Sequence, residues 1–255
     1  KNNGDIDIFH LSTNMCSRHR KFILDKIKEN LNKSKPVVCI STQLIEAGVD
    51  IDVDKIYRDM APLDSITQVA GRCNRNDEGK KGDVIIFTLK DDSTEYNRYI
   101  YSNFLIQKTK EVFKDTDIIS ENQFLEFNNA YFHKVNDNKS NDKAIKLLGY
   151  IKALRFENIG KEFLLVDIQY EKVDVFVQLD DNACYIWNKF INIRNINNVL
   201  ERRNLFLDIK KQFFDYIISV PKDNAPPKSD PITGMRFISK DDLKNHYDKE
   251  TGFID

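Results

Sequence analysis

An α/β fold is the class this 255-residue chain predicts, and three observations predict it. Over the first ninety residues, strand-like and helix-like runs alternate. The strand-like runs are almost wholly apolar. The composition, 41% hydrophobic against 31% charged with only 9 Gly and 6 Pro, is that of a chain able to bury a core. Alternation of this kind argues for a parallel sheet with helices on both faces.

The elements follow in order. "DIDIF" (5–9) is a short strand, and "SRHRKFILDKIKENLNK" (17–33) sets Phe22, Ile23, Ile27 and Leu31 at helical spacing. "KPVVCIST" (35–42) is a buried-type strand opened by Pro36, and "DKIYRDM" (54–60) is another strand. "SITQVAGRCNR" (65–75) reads as one helix, then "KGDVIIFTL" (81–89) as an apolar strand. From residue 91 the pattern turns helical and aromatic: "STEYNRYIYSNFLIQKTKEVFK", "SENQFLEFNNAYFHKV" and "NDKAIKLLGYIKALR". Beyond 156 come strands at "EFLLVDI" and "VDVFVQL", helices at "ACYIWNKFI" and "INNVLERRNLFLDIKKQFFDYI", and a Pro-rich loop. The expected division is therefore 1–90, a helical linker region over 91–155, and a small mixed α+β domain over 156–255.

Several classes drop out. No apolar run exceeds five residues, so none spans a bilayer. Net charge is −1, so any polyanion must be bound by a local patch. The four cysteines have no metal-ligand or disulfide spacing, which fits free thiols in the cytoplasm. His10, His19, His133 and His246 show no metal-like spacing either, and no metal site is expected. The chain begins without Met and has no signal peptide, and reads as a fragment of something longer.

Two stretches carry chemistry. In "QVAGRCNRN" (68–76), Gln68, Gly71, Arg72 and Arg75 form Gln-x-x-Gly-Arg-x-x-Arg. Upstream, "CISTQLIEAGVDID" (39–52) ends a strand in Ser41-Thr42 and sets Gly48 before Asp50. Alone, that stretch reads first as an ordinary strand and loop with a capping Thr and a turn Gly. Hydroxyls and free N–H groups at the carboxyl end of a strand are, however, natural phosphate partners.

Together, "ISTQLIEAGVDID" and "APLDSITQVAGRCNRN" closely resemble motifs V and VI of superfamily 2 helicases, most of all the CRISPR-associated helicase–nuclease of type I systems. "LSTNMCSRHR" before the first helix and "YDKETGF" near the C-terminus are similar to that family too. The resemblance implies a second RecA-like lobe, N-terminally incomplete, followed by an accessory domain closing over a single-stranded DNA path. It implies that Arg72 and Arg75, on one helix, face the γ-phosphate of ATP as arginine fingers. Gln68 would orient a phosphate or the attacking water, and Gly71 would allow close helix approach. Asp50 would contact the nucleotide or a finger, and Gly48 would support Thr42 at the DNA backbone. Arg20 would position the lobe or touch DNA, and Glu46 would brace the motif. ATP with Mg2+ would be held mainly by a first RecA-like lobe. That lobe, a nuclease domain, single-stranded DNA and a type I surveillance complex are the implied partners. No membrane partner is implied.

The chain contains no Gly-x-x-x-x-Gly-Lys-Ser/Thr, no Asp-Glu-x-His/Asp and no His-Asp. Alone it is expected to be inactive, because half a phosphate site assembles no transition state. Two other readings stay open: a piece of another superfamily 2 RNA or DNA helicase, and a non-catalytic nucleic-acid or protein binding module. Aromatic runs such as "TEYNRYIYSNF" are expected to be core, as is Trp187. Arg202, Arg203, Lys210 and Lys211 make either a phosphate track or a solvated helix face.

Overall fold

Strand β1 (Asp7–Leu11), helix α1 (Ser17–Asn32) and strand β2 (Val37–Ser41) form a β–α–β unit whose strands pair in parallel, Asp7 opposite Val37 through Leu11 opposite Ser41. This computed structural model describes residues 6–46, 49–73, 75, 81–163 and 171–254. Helix α1 buries His19, Ile23 and Ile27, one every fourth residue. Phe22, expected on that inner face, is exposed instead, with the Lys26 ammonium 4.4 Å from its ring centre. A step of one residue turns a side chain about 100° round a helix, which takes Phe22 off the stripe.

A second β–α–β unit follows: β3 (Lys55–Asp59), α2 (Leu63–Ala70) and β4 (Asp83–Phe87), with Lys55 opposite Asp83 through Asp59 opposite Phe87. Helices α3 (Asn103–Phe113), α4 (Phe124–Asp137), α5 (Asp142–Lys152) and α6 (Phe156–Glu162) come next. The first of these is shorter than its sequence pattern predicts. Tyr96–Tyr99 form a separate 3-10 turn, and Ser102 in extended conformation begins α3. Tyr96 and Tyr99 are exposed, Tyr99 at 76%, which corrects their expected place in the core. A capping box between Ser120 and Gln123 precedes α4.

The C-terminal portion is built on β5 (Lys172–Val177), α7 (Asp181–Arg194), α8 (Val199–Asp215), β6 (Ile217–Pro221), β7 (Arg236–Ile238), α9 (Leu243–His246), β8 (Tyr247–Asp248) and β9 (Gly252–Phe253). β5 lies between antiparallel β6 and parallel β7. Asp180 caps α7 by accepting from Ala183 N–H at 2.7 Å, and Asn198 caps α8 through Leu200 and Glu201 N–H. Phe176, Trp187, Phe190, Phe206, Phe213 and Tyr216 interlock beneath this sheet, Phe190 and Phe213 at 4.5 Å between ring centres. Trp187 is a packing anchor, 4.8 Å from the Phe237 ring. The strand expected over "EFLLVDI" falls mostly outside the described residues.

The chain divides into two compact units, one of residues 1–45 with 168–255 and one of 46–167. These cut across the expected chain-order boundaries near 91 and 155. Within the first unit, the hairpin β8–β9 packs on the turn that starts α1. Phe253 N–H donates to Asn14 C=O at 2.8 Å, and Cys16 N–H donates to the Tyr247 hydroxyl at 3.0 Å. His19 Nε2 lies 2.9 Å from Lys249 C=O, which only accepts, so Nε2 carries the proton. Nδ1 is then the acceptor for the Tyr247 hydroxyl at 3.0 Å. Gly252 sits at φ +92°, where an added Cβ would lie 2.6 Å from Asn14 O. "LSTNMCSRHR" and "YDKETGF", far apart in sequence, are thus in direct contact.

The α/β class stands, and among the described residues its parallel pairing falls in two two-stranded sheets, β1–β2 and β3–β4. Each has a single crossover helix, which covers one face. Ile8, Val38 and Ile40 are left exposed in the first unit, and Tyr57, Ile85 and Phe87 in the second.

Candidate functional site

The second unit gathers most of the candidate residues, and the end of α2 decides their arrangement. Gly71 caps the helix, and its N–H and that of Arg72 return to Thr67 and Val69 C=O. Arg72 and Arg75 therefore lie beyond the helix, not on it as expected. The reason is a competing partner for the backbone. Val53 N–H takes the Arg72 carbonyl at 3.2 Å, and Cys73 forms a parallel bridge with Val53. Past Gly71 the chain runs alongside the 50–54 segment.

That segment, "DIDVD", alternates carboxylates with apolar residues: Ile51 is buried, and Asp50 and Asp52 face the arginine loop. Asp52 accepts from Arg75 N–H at 2.8 Å, and the Arg75 guanidinium pairs with the Asp50 carboxylate. This pair is open to solvent, with the side chains 45% and 78% exposed. Arg72 Nη2 reaches Glu46 C=O at 3.5 Å, while its buried Nε, like that of Arg58, has no hydrogen-bond partner among the described residues. Burial first, and then the carboxylates of Asp83, Asp52 and Asp54, push the Cys73 thiol up, so it stays protonated between the two arginines. Gln68 is exposed on the last turn of α2. Gly48 lies outside the described residues.

Beside this open loop is a closed one. The Arg58 guanidinium meets Glu46 at 2.5 Å, Ser65 at 3.0 Å and Tyr101 at 2.5 Å, and the Tyr101 hydroxyl donates to Glu46 at 2.9 Å. The Glu46 and Arg58 side chains are only 15% and 14% exposed. Arg58 was not among the sequence candidates, yet a signal existed. In "KIYRD" alternation puts Arg58 on the same face as buried Ile56, and an inward arginine requires a carboxylate partner.

In the first unit, Thr42 is exposed just past β2, its N–H donating to Leu11 C=O at 3.1 Å. Ser41 Oγ donates to the same carbonyl. Arg20 turns back on its own loop, reaching Met15 C=O and, at 2.9 Å, Ser17 Oγ. Among the described residues, no cluster of three His, Cys, Asp or Glu is placed to hold a metal ion, and no helix is long and apolar enough to cross a membrane.

Comparison with known proteins bears on this geometry. Residues 1–78 match the model of the family described as CRISPR-associated nuclease/helicase Cas3, C-terminal. Over 85 residues the chain is 48% identical to a CRISPR-associated nuclease/helicase Cas3 of Haloferax volcanii, covering 31% of this chain and 9% of that protein. A namesake from Methanothermobacter thermautotrophicus is 23% identical over 85% of this chain and 29% of its own length. The chain thus spans less than a third of these curated relatives. Among solved structures, Cas3 of T. fusca with ATP superposes with a TM-score of 0.53 at 16% identity, covering 92% of this chain and 32% of that one. A chain of a CRISPR RNA-guided surveillance complex in a pre-nicking state superposes with a TM-score of 0.52 at 16% identity, covering 92% and 35%. Over residues 1–78 the chain is similar to the C-terminal part of Cas3 nuclease/helicases, and over most of its length it shares the fold of solved Cas3 structures.

Proposed function

We propose that the chain is the C-terminal half of an ATP-driven motor that translocates on single-stranded DNA and serves CRISPR defence beside a surveillance complex. The observation that carries this reading is the loop after α2, where Asp50 and Asp52 hold Arg75 in solvent beside Arg72. A guanidinium held beside an open surface suits a polyphosphate.

ATP with Mg2+, bound chiefly by the first motor lobe, would supply the phosphoryl group whose transfer drives movement. This chain's residues then have separable tasks. Arg75 is aimed by Asp50 and Arg72 is fixed by the Glu46 carbonyl, so neither needs to reorganise as negative charge develops. Gln68 orients a phosphate oxygen or a water. Thr42, exposed where β2 ends, offers its hydroxyl to a sugar–phosphate backbone, a contact blind to base identity. Arg20 stiffens the β1–α1 turn. With half the phosphate site, the isolated chain is inactive.

The test is ATPase activity with and without single-stranded DNA, for the chain alone and mixed with a separately expressed first motor lobe. The chain alone should be silent and the mixture active, and Arg75→Ala should lower the mixture's rate by about a thousandfold or more. A silent mixture whose C-terminal chain still binds DNA would replace the motor with a binding module.

A further inference from the structure

The closed pair beside the arginine loop holds more than itself. Glu46 contributes two groups: its carboxylate is clamped by Arg58 and Tyr101, and its carbonyl receives Arg72 Nη2. At 3.5 Å that last contact is at the limit of a hydrogen bond. A small drift of the Glu46 backbone therefore decides whether it is made at all. Tyr101 closes the clamp. A carboxylate only accepts and a guanidinium only donates, so the Tyr101 hydroxyl gives its proton to Glu46 at 2.9 Å and takes Arg58 Nη2–H at 2.5 Å. Ser65 Oγ, 3.2 Å away, is left to donate to the same oxygen. Tyr101 is itself firmly seated. Its N–H donates to the carbonyl of buried Asn97 at 2.9 Å, and the Lys110 ammonium holds both Glu95 oxygens at 2.8 Å.

We propose that Tyr101 is a positioning residue for Arg72, acting through Glu46. Removing its hydroxyl leaves Glu46, Arg58 and Ser65 each one partner short in a place nearly closed to water. A buried network that shares one hydroxyl loosens as a unit, so Glu46 drifts and Arg72 loses its carbonyl. The segment leading into α3 thereby controls a side chain of the loop after α2. That Arg72 meets a phosphate rests on the motor reading, whereas the relay from Tyr101 to Arg72 does not.

The experiment is Tyr101→Phe, read in two ways. In the full chain carrying nitrogen-15 arginine, the buried Arg72 Nε–H is assigned by the loss of its signal in Arg72→Lys. Its hydrogen exchange should quicken about fivefold in Tyr101→Phe, the equivalent of one hydrogen bond lost. Tyr216→Phe, which strips a hydroxyl from the Asp180 cap of α7, is the control and should leave that exchange unchanged. Both variants should lower Tm by about 3 °C, so a merely structural role would move them together. In the chain mixed with the first motor lobe, Tyr101→Phe should lower kcat about tenfold and keep KM for ATP within about twofold, because a finger acts on the transition state. Tyr216→Phe should keep the wild-type kcat. The proposal is overturned if Arg72 exchange in Tyr101→Phe matches wild type, or if Tyr216→Phe quickens it equally. It is overturned too if Arg75→Ala silences an active mixture while Tyr101→Phe keeps its kcat. Faster Arg72 exchange beside a mixture that never turns over ATP would end the motor reading and leave the relay standing.

Discussion

Two arginine–carboxylate pairs of the second unit use the same groups and stand in opposite environments. Arg58–Glu46 is nearly closed to water and tied to Ser65 and Tyr101, whereas Arg75–Asp50 is open. A buried pair cannot lose a partner without stranding a charge, so it acts as architecture. An exposed pair gives little to stability and can exchange its partner for a ligand. The difference lies in burial, not residue type, and it separates an arginine locked into the fold from one open to solvent. His19 is the first unit's counterpart of the closed pair, a polar group enclosed by Tyr247 and Lys249.

The comparison breaks most easily at its buried end. Arg58→Ala should cost about 3 kcal/mol, read as a lowered denaturation midpoint, because Glu46 is left buried and unpaired. A cost under about 1 kcal/mol would place Arg58 with the surface pairs. Gly252→Ala should cost about 2 kcal/mol, since its positive φ and the 2.6 Å approach to Asn14 O admit no side chain.

His19 sharpens the comparison through pH. Burial lowers its pKa below the ordinary histidine value, while Lys249 C=O and the Asp248 carboxylate oppose the shift. The unfolded chain therefore takes up the proton first. This contribution is fully present above about pH 6.5 and is lost as pH falls through the lower folded value. Denaturant melts at pH 7.5 and 6.0 should show that loss in wild type and not in His19→Gln. The smallest effect belongs to Asp50→Asn, which should change stability by less than about 0.5 kcal/mol. If the proposed motor reading holds, the same substitution should slow the reconstituted ATPase, because Arg75 loses its aim.

How much of this was legible in the sequence depends on the range of the interaction. The strands around "VVCIS", "KIYRD" and "DVIIF" and the helix over 17–32 follow from local periodicity. Where α2 stops does not, because the deciding hydrogen bond comes from Val53, nineteen residues before Arg72. Asp50 and Arg75 were both candidates, but only the folded loop shows them as a pair. Arg58 escaped because its partners, Glu46 and Tyr101, flank it at distances with no helical or strand period. The exposed faces of the strand pairs escaped for another reason. Apolar alternation says which residues prefer burial, not whether anything arrives to bury them.

The hairpin that seats Tyr247 and Phe253 against Asn14 and Cys16 also sets an order of events during synthesis. Residues 46–167 form one unit and can close on themselves while the remainder is still being made. The turn at the start of α1 must wait until residue 253 has left the ribosome. Through that interval Cys16 and His19 lack the partners that enclose them, and the long loop to be closed makes this contact a late one. Translation pauses between residues 168 and 253 would lengthen exposure of helix α1, and chaperone demand would fall on residues 14–27 rather than on 46–167.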